Sequence, residues 1–275
     1  MLDPAQPLSP GFKKAVDAAI KEFLAWQRGE LLHISQEFEI VLKLAGQLTA
    51  GGKRLRPAFA AWGYLAGADS LELPDWMAQT AASLDLLHAS ALVHDDVMDG
   101  SDLRRGQPAA HLALAAMHRE RGMRGDAAAF GRSAAILLGN LLWNWASELC
   151  GRGLAHCPDP ARLADAQEVL EKLRVQVNAG QYLDVVLSAT PEPDRLRHRV
   201  EQVVEYKTAR YSVAQPLQLG AILGGGSPAL VTGLRLFGEL VGRAFQYRDD
   251  VLGVFGDESV TGKPAGDDLR EGKLT

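Results

Sequence analysis

Asp95 and Asp99 stand four residues apart in the run His94-Asp95-Asp96-Val97-Met98-Asp99, and Arg104-Arg105-Gly106 follows closely. On a helix, residues i and i+4 share a face, so both carboxylates reach one common point. A second acidic cluster, Phe245-Gln246-Tyr247-Arg248-Asp249-Asp250, lies 154 residues further along and also carries an arginine. Hard cations such as Mg²⁺ take oxygen ligands, and Mg²⁺ is usually held by one or two carboxylates together with substrate phosphates. Two such faces opposed across a cavity would gather Mg²⁺ around a diphosphate. The chemistry this suits is ionisation of a carbon–diphosphate bond.

Each cluster has an ordinary alternative. Asp95, Asp96 and Asp99 end an apolar helix containing Leu84, Leu86, Leu87, Ala91, Leu92 and Val93, and a solvated helix end explains a lone acidic cluster. Acids at a helix C-terminus oppose the macrodipole, however, and a cation there relieves the conflict. The second cluster is the weaker of the two, because Gly253 stands where a third acid would complete the i, i+4 pair with Asp249, and Asp257 comes later.

Cations stand near helix starts. Gly51-Gly52-Lys53-Arg54-Leu55-Arg56-Pro57 offers three cations beside two glycines, with a proline suited to a first helical turn. Exposed backbone N–H groups plus Lys and Arg make a phosphate site; a solvated basic turn is the alternative. Lys207-Thr208 falls mid-helix near Arg210, where a surface lysine is the plain reading. The polar, glycine-rich stretch Gly262–Lys273 suits a mobile lid carrying Lys263 and Lys273. His88 and His94 read as packed residues.

The elements that must position these groups are helical. Apolar residues recur at three- and four-residue spacing through most of the chain, and strand signals are nearly absent. The pattern predicts helices over Gly11–Leu48 with a break near Gly29, then Arg56–Gly67, Asp75–Val97, Ala109–Glu120, Ser133–Gly151, Pro160–Ser188, Asp194–Leu223 and Pro228–Phe255. Between them lie a glycine-rich loop at Gly122–Gly131 and the turns Cys157–Pro160, Thr190–Pro193 and Gly224–Pro228. No repeat and no linker interrupts this. The expectation is a single all-α domain over residues 1–275, a bundle of long, mostly antiparallel helices around a central cavity, led by a loose segment at 1–12.

Composition narrows the classes. The 275 residues are 47% hydrophobic and 23% charged, with a net charge of −5. An acidic balance argues against a nucleic-acid partner. No apolar run reaches membrane-spanning length. Cys150 and Cys157 lack metal spacing and read as idle thiols, which suits a reducing cytoplasm.

Seven segments then occur in a particular order: Gly51–Pro57, Leu87-His88, Leu92–Asp99, Arg104–Gly106, Gly180-Gln181-Tyr182-Leu183-Asp184, Lys207-Thr208 with Phe245–Asp250, and the Gly262–Lys273 loop. In that order they resemble the trans-isoprenyl diphosphate synthase (polyprenyl synthetase) family from Gly51 to the chain end. The form Asp-Asp-Val-Leu-Gly-Val-Phe-Gly-Asp is most similar to its bacterial, particularly actinobacterial, geranylgeranyl diphosphate synthases. The resemblance implies a Mg²⁺-dependent, homodimeric prenyltransferase that condenses isopentenyl diphosphate with an allylic diphosphate. It implies that Asp95, Asp99 and Asp249 hold three Mg²⁺ on the allylic diphosphate, with Asp96 and Asp250 acting at one remove through water. Arg104, Lys207, Lys263 and Lys273 would neutralise the remaining oxygens, and Lys53, Arg56, His88 and Arg105 would grip isopentenyl diphosphate. Thr208 and Gln246 would line the reacting centre, and Gln181 and Asp184 would support the metal site. The family also continues beyond the position of Thr275, so C-terminal helices are expected to be missing from this chain.

Product length follows from the same implication. The growing prenyl chain would run back along the helix bearing Asp95, past Ala91 and Ser90, which are small where synthases of fifteen-carbon products place aromatics. Leu87 and then Leu84 come next on that face, so a twenty-carbon product is expected; Trp143 or Met117 facing the same path is the alternative floor, and longer products are the second reading. Three rivals stand beside this reading: a metal-dependent phosphohydrolase using His88 and His94-Asp95, a catalytically silent subunit of such a synthase, and a terpene cyclase. Lys53, Arg56 and Arg105 count against the cyclase, which has no isopentenyl site.

Overall fold

The computed structural model describes residues 6–191 and 194–256. Almost all of this is helix, as expected: the fold is all-α. Among the described residues the strands are β1 (Leu103–Arg104) and β2 (Gln107–Pro108), a two-residue antiparallel pair with Leu103 opposite Pro108.

The chain divides into two compact units, residues 1–57 with 74–156, and residues 58–73 with 157–275. In the first unit, α1 (Pro10–Ile34), a short 3₁₀ turn (Gln36–Phe38) and α2 (Glu39–Thr49) pack with α4 (Asp75–Asp99), α5 (Ala110–Glu120) and α6 (Ala127–Leu154). Helix α3 (Leu55–Ala68) begins in this unit and continues into the second. The second unit also holds α7 (Pro160–Ser188), α8 (Leu196–Val203), a π-helical stretch (Val204–Ala214), α9 (Gln215–Leu223) and α10 (Pro228–Phe255).

Helix α4 is the spine of the first unit. Met77, Thr80, Ala81, Leu84, Leu86, Leu87, Ser90 and Val93 are all buried, so it is covered on most sides by α1, α2, α5 and α6. It ends at Gly100, whose φ of 68° is left-handed and open to glycine at little cost. The stop therefore falls immediately after Asp99.

Two expectations need correction. Helix α1 runs through Gly29 without a break; the chain turns instead at Ser35, which is extended and accepts a hydrogen bond from the Glu37 N–H at 3.2 Å. A glycine inside a long helix costs only about 1 kcal/mol, which packing overrides. The loop expected at Gly122–Gly131 is shorter, because Asp126 caps α6 by accepting from Ala129 N–H at 2.6 Å, and Gly131 is a helical residue packed on the His111 carbonyl.

Candidate active site

In the first unit the cationic turn and the acidic helix come together. Arg54, the middle one of the turn's three cations, is buried and turned inward. Its Nε donates to Asp17 Oδ1 at 2.8 Å, Nη1 to Asp85 Oδ2 at 2.8 Å, and Nη2 to the Thr49 carbonyl at 2.7 Å. That leaves Arg56, half-buried, and Lys53, exposed, as the outward cations of the turn. Asp17 and Asp85 escaped the sequence reading; the only hint of Asp85 was an acid inside the otherwise apolar run Leu84–Leu87.

The second pair of arginines comes from a tight hairpin. Arg105 and Gly106 form its two-residue loop with φ of 54° and 73°, the pair of positive angles a type I′ turn requires. Left-handed backbone at a non-glycine residue costs about 1–2 kcal/mol, so Arg105 is held there by its contacts. Its Nη1 donates to the Ala50 carbonyl at 3.0 Å, and the guanidinium packs over Gly52. Arg104 reaches the other way: its Nε donates to Asp96 Oδ1 at 2.9 Å, and Nη2 lies 3.9 Å from Asp95 Oδ2. Asp96 is 1% exposed, so its carboxylate is taken up in fixing Arg104.

These groups shape one another's charge. His88 is held well below the ordinary imidazole range, first by burial and then by Arg56, Arg105 and Arg104. Burial also raises the Asp85 carboxyl, an effect that Arg54, Arg56 and Arg105 oppose. The Arg105 guanidinium is lowered by burial and by Arg54, Arg104 and Arg56, against Asp85. Four guanidiniums, the His88 imidazole and the carboxylates of Asp17, Asp85 and Asp96 thus gather here, a donor-rich cluster suited to a diphosphate.

On α4, Asp95 and Asp99 share the face and are each half-buried. Among the described residues no three His, Cys, Asp or Glu side chains gather as a complete metal cage. Two hard carboxylates at the negative end of α4 fit Mg²⁺, which takes its other ligands from phosphate and water. They do not fit the phosphohydrolase alternative. His94, from α4, packs against α6, its Nε2 3.3 Å from the Ile136 carbonyl and its ring against Gly139, while His88 sits among arginines.

Further back on α4, Ser90 has no exposure and its hydroxyl donates to the Gly139 carbonyl at 2.8 Å. It is packed on α6 and lines no open space. Ala91 is half-buried and Leu87 is buried.

In the second unit, Lys207 Nζ donates to Asp184 Oδ2 at 2.6 Å, joining the π-helical stretch to α7. Gln181 and Thr208 are half-buried. On α10, Gln246 Nε2 donates to Asp250 Oδ1 at 2.7 Å, whereas Asp249 is exposed. Lys263, Lys273, Asp257 and the 262–273 loop lie outside the described residues.

A family model described as polyprenyl synthetase matches residues 38–275. The chain belongs to the polyprenyl synthetase family. It is 36% identical over 231 residues to a short chain isoprenyl diphosphate synthase of Methanothermobacter thermautotrophicus, covering 83% of this chain and 62% of that protein. It is 33% identical over 262 residues to a geranylgeranyl diphosphate synthase of Methanosarcina mazei, covering 94% and 70%. A Corynebacterium glutamicum geranylgeranyl pyrophosphate synthase, solved with isoprenyl diphosphate and magnesium, superposes with a TM-score of 0.89 at 39% identity, covering 96% of this chain and 74% of that one. The chain thus spans 62–70% of the length of these two curated relatives.

Proposed function

We propose that this protein is a trans-prenyltransferase that joins isopentenyl diphosphate to an allylic diphosphate and makes geranylgeranyl diphosphate. The observation that carries the reading is a second cationic cluster in the unit that bears Asp95 and Asp99: Arg105 reaches back to the Ala50 carbonyl at 3.0 Å and packs over Gly52, beside Lys53 and Arg56. A cyclase needs the acids but has no use for a second diphosphate pocket.

Lys53, Arg56, His88 and Arg105 bind isopentenyl diphosphate. Asp95 and Asp99 would hold Mg²⁺ on the allylic diphosphate, and by the family resemblance Asp249 would be a further ligand, three ions in all with substrate bound, while Asp96 and Asp250 would act at one remove. Arg104, Lys207, Lys263 and Lys273 donate to the leaving oxygens. Bound Mg²⁺ supplies positive charge that stabilises the departing diphosphate. Preorganised cations act most strongly where charge develops, here as the allylic C–O bond breaks. The isopentenyl double bond attacks the resulting cation, and the released diphosphate takes the proton. Thr208 and Gln246 steady the cation by their dipoles, with the Gln246 amide fixed by Asp250. Gln181 and Asp184 support the metal site, Asp184 by orienting Lys207. Water must be kept from the cation, which it would quench to an alcohol.

The same reading makes the protein a cytoplasmic homodimer that takes small diphosphates and no nucleic acid. Ile136 and Leu137, 44% and 63% exposed on α6, are apolar surface a second copy can bury. Among the described residues no helix is long and apolar enough to cross a membrane. The test is incubation with Mg²⁺, isopentenyl diphosphate and each allylic starter, then chromatography of the dephosphorylated products. A twenty-carbon alcohol is expected. Cyclised hydrocarbon or unconsumed isopentenyl diphosphate would overturn the reading.

A further inference from the structure

The π-helical stretch Val204–Ala214 carries Lys207 and Thr208, and it is rare for such winding to persist over 11 residues. Three glycines make room for it. A Cβ on Gly238 or Gly242 of α10 would lie 2.5 Å from Ala214 Cα or Ala209 Cα, and one on Gly180 of α7 would strike the Lys207 backbone. Room permits the winding but does not select it.

A chain of alternating charges spans the same stretch. Glu205 Oε1 accepts from Arg210 Nε at 2.8 Å, and Glu205 Oε2 accepts from Arg243 of α10. Arg210 Nη2 lies 3.6 Å from Glu239 Oε1, and Glu239 accepts from Arg235 at 2.7 Å. The Arg210 guanidinium also stacks over the Tyr206 ring, 4.7 Å from its centroid. Glu205 and Arg210 are five residues apart. Five α-helical steps of about 100° leave side chains some 140° apart, on different faces. Hydrogen bonds from i to i+5 bring those positions together. The Glu205–Arg210 pair is therefore one that π winding makes and α winding breaks, and Arg243 ties it to α10.

We propose that Glu205 is a positioning residue: with Arg210 and Arg243 it holds the π winding that directs Lys207 onto Asp184 and Thr208 into the site. The catalytic consequence rests on the prenyltransferase reading; the conformational one does not.

The experiment reads the two separately in the full-length chain. Lysine-selective acylation followed by peptide mass spectrometry reports the exposure of Lys207 Nζ without any activity. Glu205→Gln is expected to speed acylation of Lys207 about tenfold, as a charge-assisted contact is lost, while solvent-exposed Lys172 on α7 stays constant. In the same variant, KM for the allylic diphosphate rises and KM for isopentenyl diphosphate does not. Unchanged acylation of Lys207 in folded Glu205→Gln overturns the inference, and so does an equal rise at every lysine. If Glu205→Gln fails to fold, Arg210→Gln, which breaks the same pair from its other end, is read by the same two criteria. A wild-type chain without prenyltransferase activity would remove the function and leave the acylation result standing.

Discussion

Ser90 gives its hydroxyl to the backbone carbonyl of Gly139, 2.8 Å away, across the α4–α6 contact. Gly139 also meets the His94 ring, so this stretch of α6 lies flush against α4. The consequence for product length is specific. Ser90→Phe forces an aromatic ring into a closed contact, and overpacking of this kind costs about 1–3 kcal/mol. Ala91, half-buried and turned about 100° from Ser90, is the neighbouring small residue free of that contact. Ala91→Phe is expected to shorten the product to fifteen carbons at nearly unchanged melting temperature, whereas Ser90→Phe lowers the melting temperature. Product chromatography beside thermal melts decides; an unaltered product from Ala91→Phe means the prenyl chain takes another path.

The adjacent acids of α4 are expected to separate by phenotype. Asp95 is partly open, and Asp95→Ala should lower turnover by orders of magnitude with the fold intact, as should Asp249→Ala. Asp96 is buried beneath Arg104, and removing one partner of a buried pair costs about 3–5 kcal/mol. Asp96→Ala should therefore lose stability first, visible in denaturant titration. Near wild-type turnover of Asp95→Ala and Asp249→Ala in saturating Mg²⁺ would end the metal assignment.

Much of this organisation was written in local chemistry. Helices α7 and α10 begin and end at the expected residues, because Asp159 and Ser227 accept hydrogen bonds from first-turn N–H groups and Pro160 and Pro228 suit the first position. The acid pair on α4 was legible from its spacing alone. The π winding was not, since its apolar pattern still reads as helix and one of the groups that meets it, Arg243, comes from 38 residues beyond Glu205. The burial of Arg54 was illegible for a related reason. Nothing in Lys53-Arg54-Leu55-Arg56 distinguishes a buried cation from exposed ones until Asp17 and Asp85 arrive from α1 and α4.

That difference predicts opposite results for two arginines of one turn. Arg56→Ala should raise KM for isopentenyl diphosphate with little change in stability, since one charge-assisted contact is worth about 1.5–3 kcal/mol. Arg54→Ala strands Asp85 in a buried site and should unfold the turn, lowering the melting temperature before any substrate effect is seen. If Arg56→Ala instead raises KM for the allylic partner alone, the two diphosphate sites have been exchanged.

The depressed His88 gives stability a definite pH dependence. Folding holds the imidazole neutral among Arg56, Arg105 and Arg104, while the unfolded chain takes up a proton near pH 6.5. Below that value the unfolded state binds a proton the folded state refuses, so its share of stability is full above about pH 6.5 and drains as pH falls towards the depressed folded value. The loss approaches about 1.4 kcal/mol per pH unit for one whole proton. Asp85 works in the opposite sense: its raised carboxyl disfavours folding at neutral pH, and this is relieved as pH falls through the raised value towards the unfolded 3.8. His88→Asn removes the first effect and keeps the second. Between pH 7.5 and 5.5 the melting temperature of the wild type is therefore expected to fall more steeply than that of His88→Asn. Parallel slopes would show that the imidazole takes its proton in the folded protein, and that the arginines around it are screened.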